Sequence, residues 1–239
     1  VSIFVNPTQF DRPEDFEQYP ITLAQDLALL AQEGVDAVYL PTTQAMYPEG
    51  YATFVEVVGP LTDKLCGMSR PGHFRGVATV VVKLFHAVEP DVVVFGQKDL
   101  QQVLIVNRLI NDLDLPIALV VGATVRESDG LALSSRNRRL DPAHREIALA
   151  LPRGLERANR AYKLGETRAS TLSTIVAEEL LQHEGTDLDY ADVVKLAGFA
   201  ETESADDGCI LAAAAIIGGV RLIDHVKLGG PALPVTLDD

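Results

Sequence analysis

Three short runs of this chain are almost wholly apolar and rich in β-branched residues: VSIFV (1–5), DVVVF (91–95) and IALVVG (117–122). Each gives way at once to a polar stretch, NPTQF, GQKDLQQ and TVRESDGLALSSRN respectively. A strand with one wet face alternates apolar and polar residues, so runs without alternation suit strands buried on both faces. Between them the apolar period becomes helical. Val77, Val80, Val81, Leu84 and Val88 share one face of GVATVVVKLFHAVEP. A helix is expected over 99–112. Upstream, Leu23, Leu27 and Leu30 line one face, Thr22 and Gln25 have the spacing of a capping box, and Gly34 is placed to end the helix. Residues 35–40 read as another strand, stopped by Pro41. This alternation dictates a parallel α/β sheet with helices on both faces.

The rhythm changes near Thr124. TVRESDGLALSSRNRRL is rich in Ser, Arg and Gly, has weak periodicity, and reads as a functional loop. Asp141-Pro142 predicts a helix start, with Pro152 kinking or ending that helix. Another helix is expected over 168–183 and a strand over 188–194. AAAAII-GG-VRLIDH (212–225) predicts a hairpin over Gly218-Gly219. The expected organisation is an α/β unit over 1–123, a smaller α+β unit over 124–226, and a tail over 227–239.

The 239 residues carry a net charge of −14. That balance argues against general nucleic-acid binding, which needs Lys and Arg to neutralise phosphates. An anionic ligand must be held by a local basic cluster. No apolar run is long enough for a membrane span. Cys66 and Cys209 form no CxxC motif and read as buried free thiols of a reducing cytoplasm. The five histidines have no metal-ligand spacing with one another.

Ligands of open parallel sheets bind beyond the carboxyl ends of the strands. GQKD there suits a phosphate or nucleotide: Gly96 permits close backbone approach, Lys98 supplies a compact charge, and a helix start near Asp99 adds its positive end. The same residues also make an ordinary strand-to-helix turn with a solvated lysine. SSRN (134–137) brings hydroxyls, a guanidinium and consecutive amides, and with Arg138 and Arg139 it is the densest basic spot in the chain. By itself it reads as a solvated loop; together with GQKD it points to a triphosphate. Gln9 and Gln102 follow strand ends, where neutral amides hold hydroxyls or a carboxylate, or else sit on the surface. His73 reads as a structural, hydrogen-bonding histidine. Asp26 reads as an exposed helix-face residue, with a metal reached through water as the alternative.

At these residues the chain resembles the pantothenate synthetase (pantoate–β-alanine ligase) family. The matching stretches are SIFVNPTQF, EDFEQYP, MYPEGYATFVEV, LCGMSRPGHFRGVATVVVKLF, FGQKDLQQ, TVRESDGLALSSRNRRL and LDYADVV, in order from residue 1 to about 195, with RLIDH near the end. The resemblance implies a Rossmann-like nucleotidyltransferase fold, a homodimer, and ATP-dependent condensation of pantoate with β-alanine, releasing AMP and pyrophosphate with Mg²⁺. It implies that Gln9 and Gln102 hold pantoate, with Gln9 also meeting β-alanine. It implies that Gly96, Gln97, Lys98 and Asp99 line the ATP site. Val125, Leu133, Ser134, Ser135 and Arg136 would complete that site, the last three standing where related enzymes carry KMSKS. Lys98, Ser134, Ser135 and Arg136 would act in catalysis, and Asp26 stands near an acidic, metal-proximal position.

In the family a PTMG turn and an HxGH motif precede SIFVNPTQF; the residues in hand carry neither, and Gly72-His73 belongs to the separate GHFRG stretch. Losing one preorganised charge-stabilising donor typically costs about 10²–10³ in rate. The expectation is therefore that these 239 residues alone fold poorly or associate through the place of a missing central strand, and make no measurable pantothenate. A non-catalytic nucleotide- or pantoate-binding remnant, or another adenylating enzyme of the nucleotidyltransferase type, are the alternatives.

Overall fold

A computed structural model describes residues 1–11 and 13–230; residues 231–239 of the expected tail lie outside the described residues. After a 3₁₀ turn at Pro7–Gln9 come α1 (Pro13–Glu17), α2 (Leu23–Gln32), α3 (Thr43–Met46), α4 (Pro60–Asp63), α5 (Cys66–Ser69) and α6 (His73–Val88). Strand β1 (Val92–Gly96), a 3₁₀ turn at Gln97–Asp99, α7 (Leu100–Asp112) and β2 (Ala118–Gly122) complete the first half. The second half holds α8 (Pro142–Ala148), α9 (Ala150–Lys163), α10 (Ala169–Leu181), β3 (Thr186–Lys195), β4 (Cys209–Ile217) and β5 (Val220–Lys227).

The parallel α/β arrangement is present: β1 pairs with β2 in parallel, Val94 opposite Val120 and Gly96 opposite Gly122, with α7 as the crossover. α6 buries Val77, Val80 and Val81 as its period requires. Two expectations need correction. Residues 1–5 are not a strand buried on both faces. They make one parallel bridge, Ser2 to Tyr39, where Ile3 N–H donates to Tyr39 O and Tyr39 N–H to Val1 O. None of the five is buried, because no strand flanks them on the other side among the described residues. Nor is the parallel sheet covered on both faces. Val93, Phe95 and Leu119 pack on the core with α6 and α7, while Val92, Val94 and Val120 stay 54%, 69% and 48% exposed.

Two local devices also differ. Thr22 caps no amide; its hydroxyl donates to Asp26 Oδ1 at 3.0 Å, so the capping box does not form. Pro152 does not break a helix. The break falls at Leu149, and Pro152 stands in the first turn of α9, where its missing N–H has no helical acceptor to lose. Asp141 caps α8 through His144 N–H, as its sequence demands.

The second half is built on the antiparallel sheet β3–β4–β5. Gly218 and Gly219 both adopt positive φ, 56° and 76°, which gives the β4–β5 hairpin the twist of a type I′ turn. A Cβ on Gly218 would also lie 2.6 Å from the His144 ring, so any other residue there would force that ring to move. Strand β4 is buried on both faces. Ile210, Ala212 and Ala214 join the core of the first half, while Leu211, Ala213, Ala215 and Ile217 join the core made with α9 and α10. The run of four alanines suits a strand wedged between two layers. Among the described residues no helix is long and apolar enough to cross a membrane.

The exposed valines of β1 and β2 form an apolar sheet face, a feature that drives association. A polypeptide of these 239 residues should sediment as concentration-dependent oligomers, and Val94→Lys should shift the distribution towards monomer. A monodisperse monomer across micromolar concentrations would contradict this.

Candidate active site

A cleft opens where the carboxyl end of β1 meets the antiparallel sheet and the segment 131–137. Lys98, Asp99 and Gln102 line it from the start of α7, and Ser134 and Arg136 from the opposite side. These five residues come from two distant stretches, brought together because β5 packs against both the turn at Gln97–Asp99 and the 3₁₀ turn at Ser135–Arg139. Lys98 makes no ion pair or side-chain hydrogen bond among the described residues, which leaves its charge free for a ligand.

The remaining candidates sit around the cleft rather than in its wall. Gly96 ends β1 with ordinary extended φ, and a Cβ there would meet nothing within 4 Å; its value lies in the open space it leaves. Gln97 is buried, its amide 3.5 Å from His225 Nε2. Val125 and Leu133 are exposed neighbours, joined by Leu133 N–H to Val125 O at 2.9 Å. Ser135 opens the 3₁₀ turn that carries Arg136. Gln9 is not among the lining residues, but its backbone carbonyl is held by Arg70 and His73, which are. Asp26 does not line the cleft; its carboxylate accepts from Thr22. Among the described residues no cluster of three or more His, Cys, Asp or Glu side chains is arranged to hold a metal.

Arg136 is positioned by groups that its own motif does not name. Its Nη2 donates to Asp15 Oδ2 at 3.2 Å, and Arg139 Nη1 donates to Asp15 Oδ1 at 2.7 Å. Burial raises the Asp15 pKa, but the hydrogen bonds and charges of Arg139 and Arg136 outweigh that and hold it below the usual carboxylate range. Arg136 Nε is buried without a partner. A buried N–H left unpaired is costly, so this guanidinium is primed to donate to an anionic oxygen.

The segment expected as a functional loop begins as a stapled hairpin. Arg126 bridges to Ala132 on the backbone, and Arg145 ties Glu127 and Asp129. Asn137 Nδ2 donates to Glu127 Oε1 and Ala132 O. Arg126 reaches across to Asp224 on β5 with two bonds of 2.6 and 3.0 Å, and Asp224 is 3% exposed. This fork anchors the Ser134–Arg136 wall to the sheet. At the inner end of the cleft Arg221 donates to Asp189 at 2.6 Å and to Ser69 at 3.2 Å, and Cys66 Sγ lies 3.2 Å from Tyr190 Oη. Asn6, Asp15, Arg70, Arg126, Arg221 and Asp224 were not singled out from sequence. Their partners lie far along the chain, as for Arg221 and Cys66 at a separation of 155 positions, and no local pattern marks them.

Comparison with known proteins gives a consistent result. Residues 1–227 match the family model described as pantoate-beta-alanine ligase. Pantothenate synthetase of Pelotomaculum thermopropionicum is 47% identical over 229 residues, covering 96% of this chain and 81% of that protein. That of Moorella thermoacetica is 48% identical over 228 residues, covering 95% and 80%. The crystal structure of pantothenate synthetase from Thermus thermophilus superposes with a TM-score of 0.90 at 41% identity, covering 95% of this chain and 82% of that one. A pantoate-beta-alanine ligase from Francisella tularensis, solved with beta-gamma ATP and beta-alanine, gives 0.78 at 32% identity, covering 97% and 80%.

Two outcomes follow from the electrostatics. Burial, reinforced by the Arg70 charge, pushes the His73 pKa down from 6.5 to about 4. The unfolded chain then binds a proton on His73 below pH 6.5 and the folded chain does so only near pH 4. Stability is complete above pH 6.5 and falls by up to roughly 3 kcal/mol as pH drops towards 4. Urea titrations between pH 7 and 4.5 should show a shallower loss for His73→Asn than for the parent; coincident slopes would contradict this. Arg126→Leu leaves Asp224 buried and unpaired and should cost about 3 kcal/mol in the same titration at pH 7. A cost under about 1 kcal/mol would show that the fork is dispensable.

Proposed function

This chain belongs to the pantoate–β-alanine ligase family, and on that premise we propose that its cleft condenses pantoate with β-alanine, driven by ATP, through a pantoyl-adenylate intermediate. The observation that carries the reading is the meeting of an unpaired Lys98 with Ser134 and Arg136 in one cleft, within a match that runs from residue 1 to 227. The relative from Francisella tularensis solved with beta-gamma ATP and beta-alanine supports the nucleotide and β-alanine parts of this reading.

A carboxylate resists attack by an amine, so it must first be activated. An oxygen of the pantoate carboxylate forms a bond to the α-phosphorus of ATP, and the bond to pyrophosphate breaks with its electron pair on the departing oxygen. The β-alanine amine then attacks the acyl carbon, AMP leaves with the electron pair of the broken C–O bond, and the amine loses a proton to solvent. The first step brings two anions together in an acidic chain. Lys98 and Arg136 offset that repulsion and meet the charge on pyrophosphate, and the Ser134 and Ser135 hydroxyls and amides add donors. Gly96, Gln97 and Asp99 form the nucleotide-facing turn, with Val125 and Leu133 as exposed apolar neighbours for the base. Gln102 holds pantoate from the cleft wall and Gln9 from beside Arg70 and His73, which hold its backbone carbonyl.

Mg²⁺ accompanies the triphosphate in this reading. The described residues do not form a dedicated metal site, and Asp26 is engaged by Thr22, so no step is assigned to a protein-held ion. The unlinked thiols Cys66 and Cys209 support a cytoplasmic setting. The homodimer expected from the resemblance is supported by two large apolar side chains left in solvent on one groove, Val58 and Met68, 81% and 65% exposed, beside Arg75 stacked on Phe54.

The test is AMP release by the chain in its natural form. Release should require pantoate, ATP and β-alanine together, and Lys98→Ala should lower kcat by about 10²-fold with an unchanged circular-dichroism spectrum. Pantoate-independent release, or parental turnover by Lys98→Ala, would overturn the reading. For the dimer, Val58→Glu with Met68→Glu should halve the mass found by sedimentation equilibrium; an unchanged mass contradicts it.

A further inference from the structure

The groups around Gln9 define which atom that side chain offers to a ligand, and two backbone carbonyls of unambiguous role set their orientation. The Gln9 carbonyl can only accept. It lies 2.7 Å from His73 Nδ1 and 3.1 Å from Arg70 Nη2. The proton of a neutral His73 therefore sits on Nδ1, and Nε2 is the acceptor facing Arg70 Nη1 at 3.3 Å. Arg70 also grips Asp11 Oδ1 through Nε at 2.6 Å. One guanidinium thus holds the chain at residues 9 and 11 and the histidine that assists it.

The Gly76 carbonyl fixes the other end. Asn6 Nδ2 donates to it at 3.1 Å, which sets the orientation of the buried Asn6 amide. Asn6 Oδ1 then accepts from Tyr47 Oη at 2.8 Å and from Thr8 Oγ1 at 3.0 Å. The remaining Asn6 N–H meets Gln9 at 3.0 Å, so the Gln9 atom there is its oxygen, Oε1. What remains on Gln9 is Nε2, whose two N–H groups have no partner among the described residues. The packing allows no slack. A Cβ on Gly76 would lie 2.4 Å from Thr8 O and 2.9 Å from Gln9 Cα, so glycine is what lets α6 come this near the turn at Pro7–Gln9.

We propose that His73, Arg70 and Asn6 are positioning residues that fix both the place of Gln9 and its polarity, so that Gln9 presents only donors. This rests on the reading that Gln9 holds pantoate. The consequence is a chemical class for the contact: Gln9 recognises an oxygen with lone pairs, a carboxylate or a hydroxyl, and repels nothing by charge. It can meet β-alanine through the carboxylate of that substrate and not through its ammonium. The GHFRG segment thereby acquires a role that its own side chains perform without touching substrate.

The experiment is steady-state kinetics of the natural enzyme with pantoate and ATP varied separately. Gln9→Leu tests the underlying reading: the pantoate KM should rise at least tenfold with the ATP KM within twofold. His73→Leu, which deletes the Nδ1 donor, should reproduce that selective rise at about tenfold, and His73→Asn, whose amide N–H can occupy the place of Nδ1–H, should restore the pantoate KM to within about threefold of the parent. If Gln9→Leu leaves the pantoate KM unchanged, the reading fails and the proposal with it. If Gln9→Leu raises that KM and His73→Leu does not, or raises the KM values of both substrates alike, the positioning role is overturned and the reading survives. Should His73→Leu not fold, Arg70→Lys gives the same readout. It keeps a charge for Asp11 and loses the fork to Gln9 and His73, so a pantoate-selective rise supports the proposal and its absence refutes it.

Discussion

Strand β4 is the constraint on which the rest of the structure depends. Its even-numbered residues from Ile210 to Ala214 face the core of the α/β half, and its odd-numbered residues from Leu211 to Ile217 face α9 and α10. A strand buried on both faces fixes two layers at once, because a one-residue slip would exchange the two faces. Small alanines in the middle let both layers approach. With β4 in place, β5 lies beside the turn at Gln97–Asp99, and the Arg126–Asp224 fork brings the Ser134–Arg136 wall to the same edge. The cleft is the line along which the two halves meet, and its position follows from packing before any ligand is considered.

The cleft also answers the electrostatic problem set by a net charge of −14. On the proposed reading an anion meets cations of two kinds. Lys98 is unpaired. Arg136 and Arg221 are each anchored by a carboxylate, from Asp15 and Asp189 respectively. An anchored arginine loses fewer degrees of freedom on binding than a solvated one, and a carboxylate partner keeps it aimed. The acidic residues near the site thus act as supports for its cations, so an acidic chain can build a triphosphate-facing surface.

Much of this was legible in the sequence, for identifiable reasons. Helix α6 and the Gly218-Gly219 hairpin obey local rules of period and φ, and both stand where those rules put them. Lys98, Ser134 and Arg136 could be named because each lies in a compact motif after a strand. The incomplete burial of residues 1–5 and the exposure of Val94 were not legible. A β-branched run reports what a strand is suited to, and only its neighbours determine what covers it. Asn6, Asp15 and Arg70 escaped notice because each is defined by a bond to a distant part of the chain: Asp15 to Arg136, 121 positions on, and Asn6 to Gly76, 70 positions on. His73 was read as a hydrogen-bonding histidine, but its partner, the Gln9 carbonyl, could be known only from three dimensions.

The central claim is that the cleft joins pantoate to the α-phosphate of ATP before β-alanine attacks. Pantoate labelled with ¹⁸O in its carboxylate tests this most directly, with the natural enzyme, ATP and β-alanine, and mass spectrometry of the nucleotide product. AMP should carry one ¹⁸O from pantoate, because the P–O bond made in the first step survives when the amine displaces AMP. AMP free of label, formed alongside pantothenate, would contradict it.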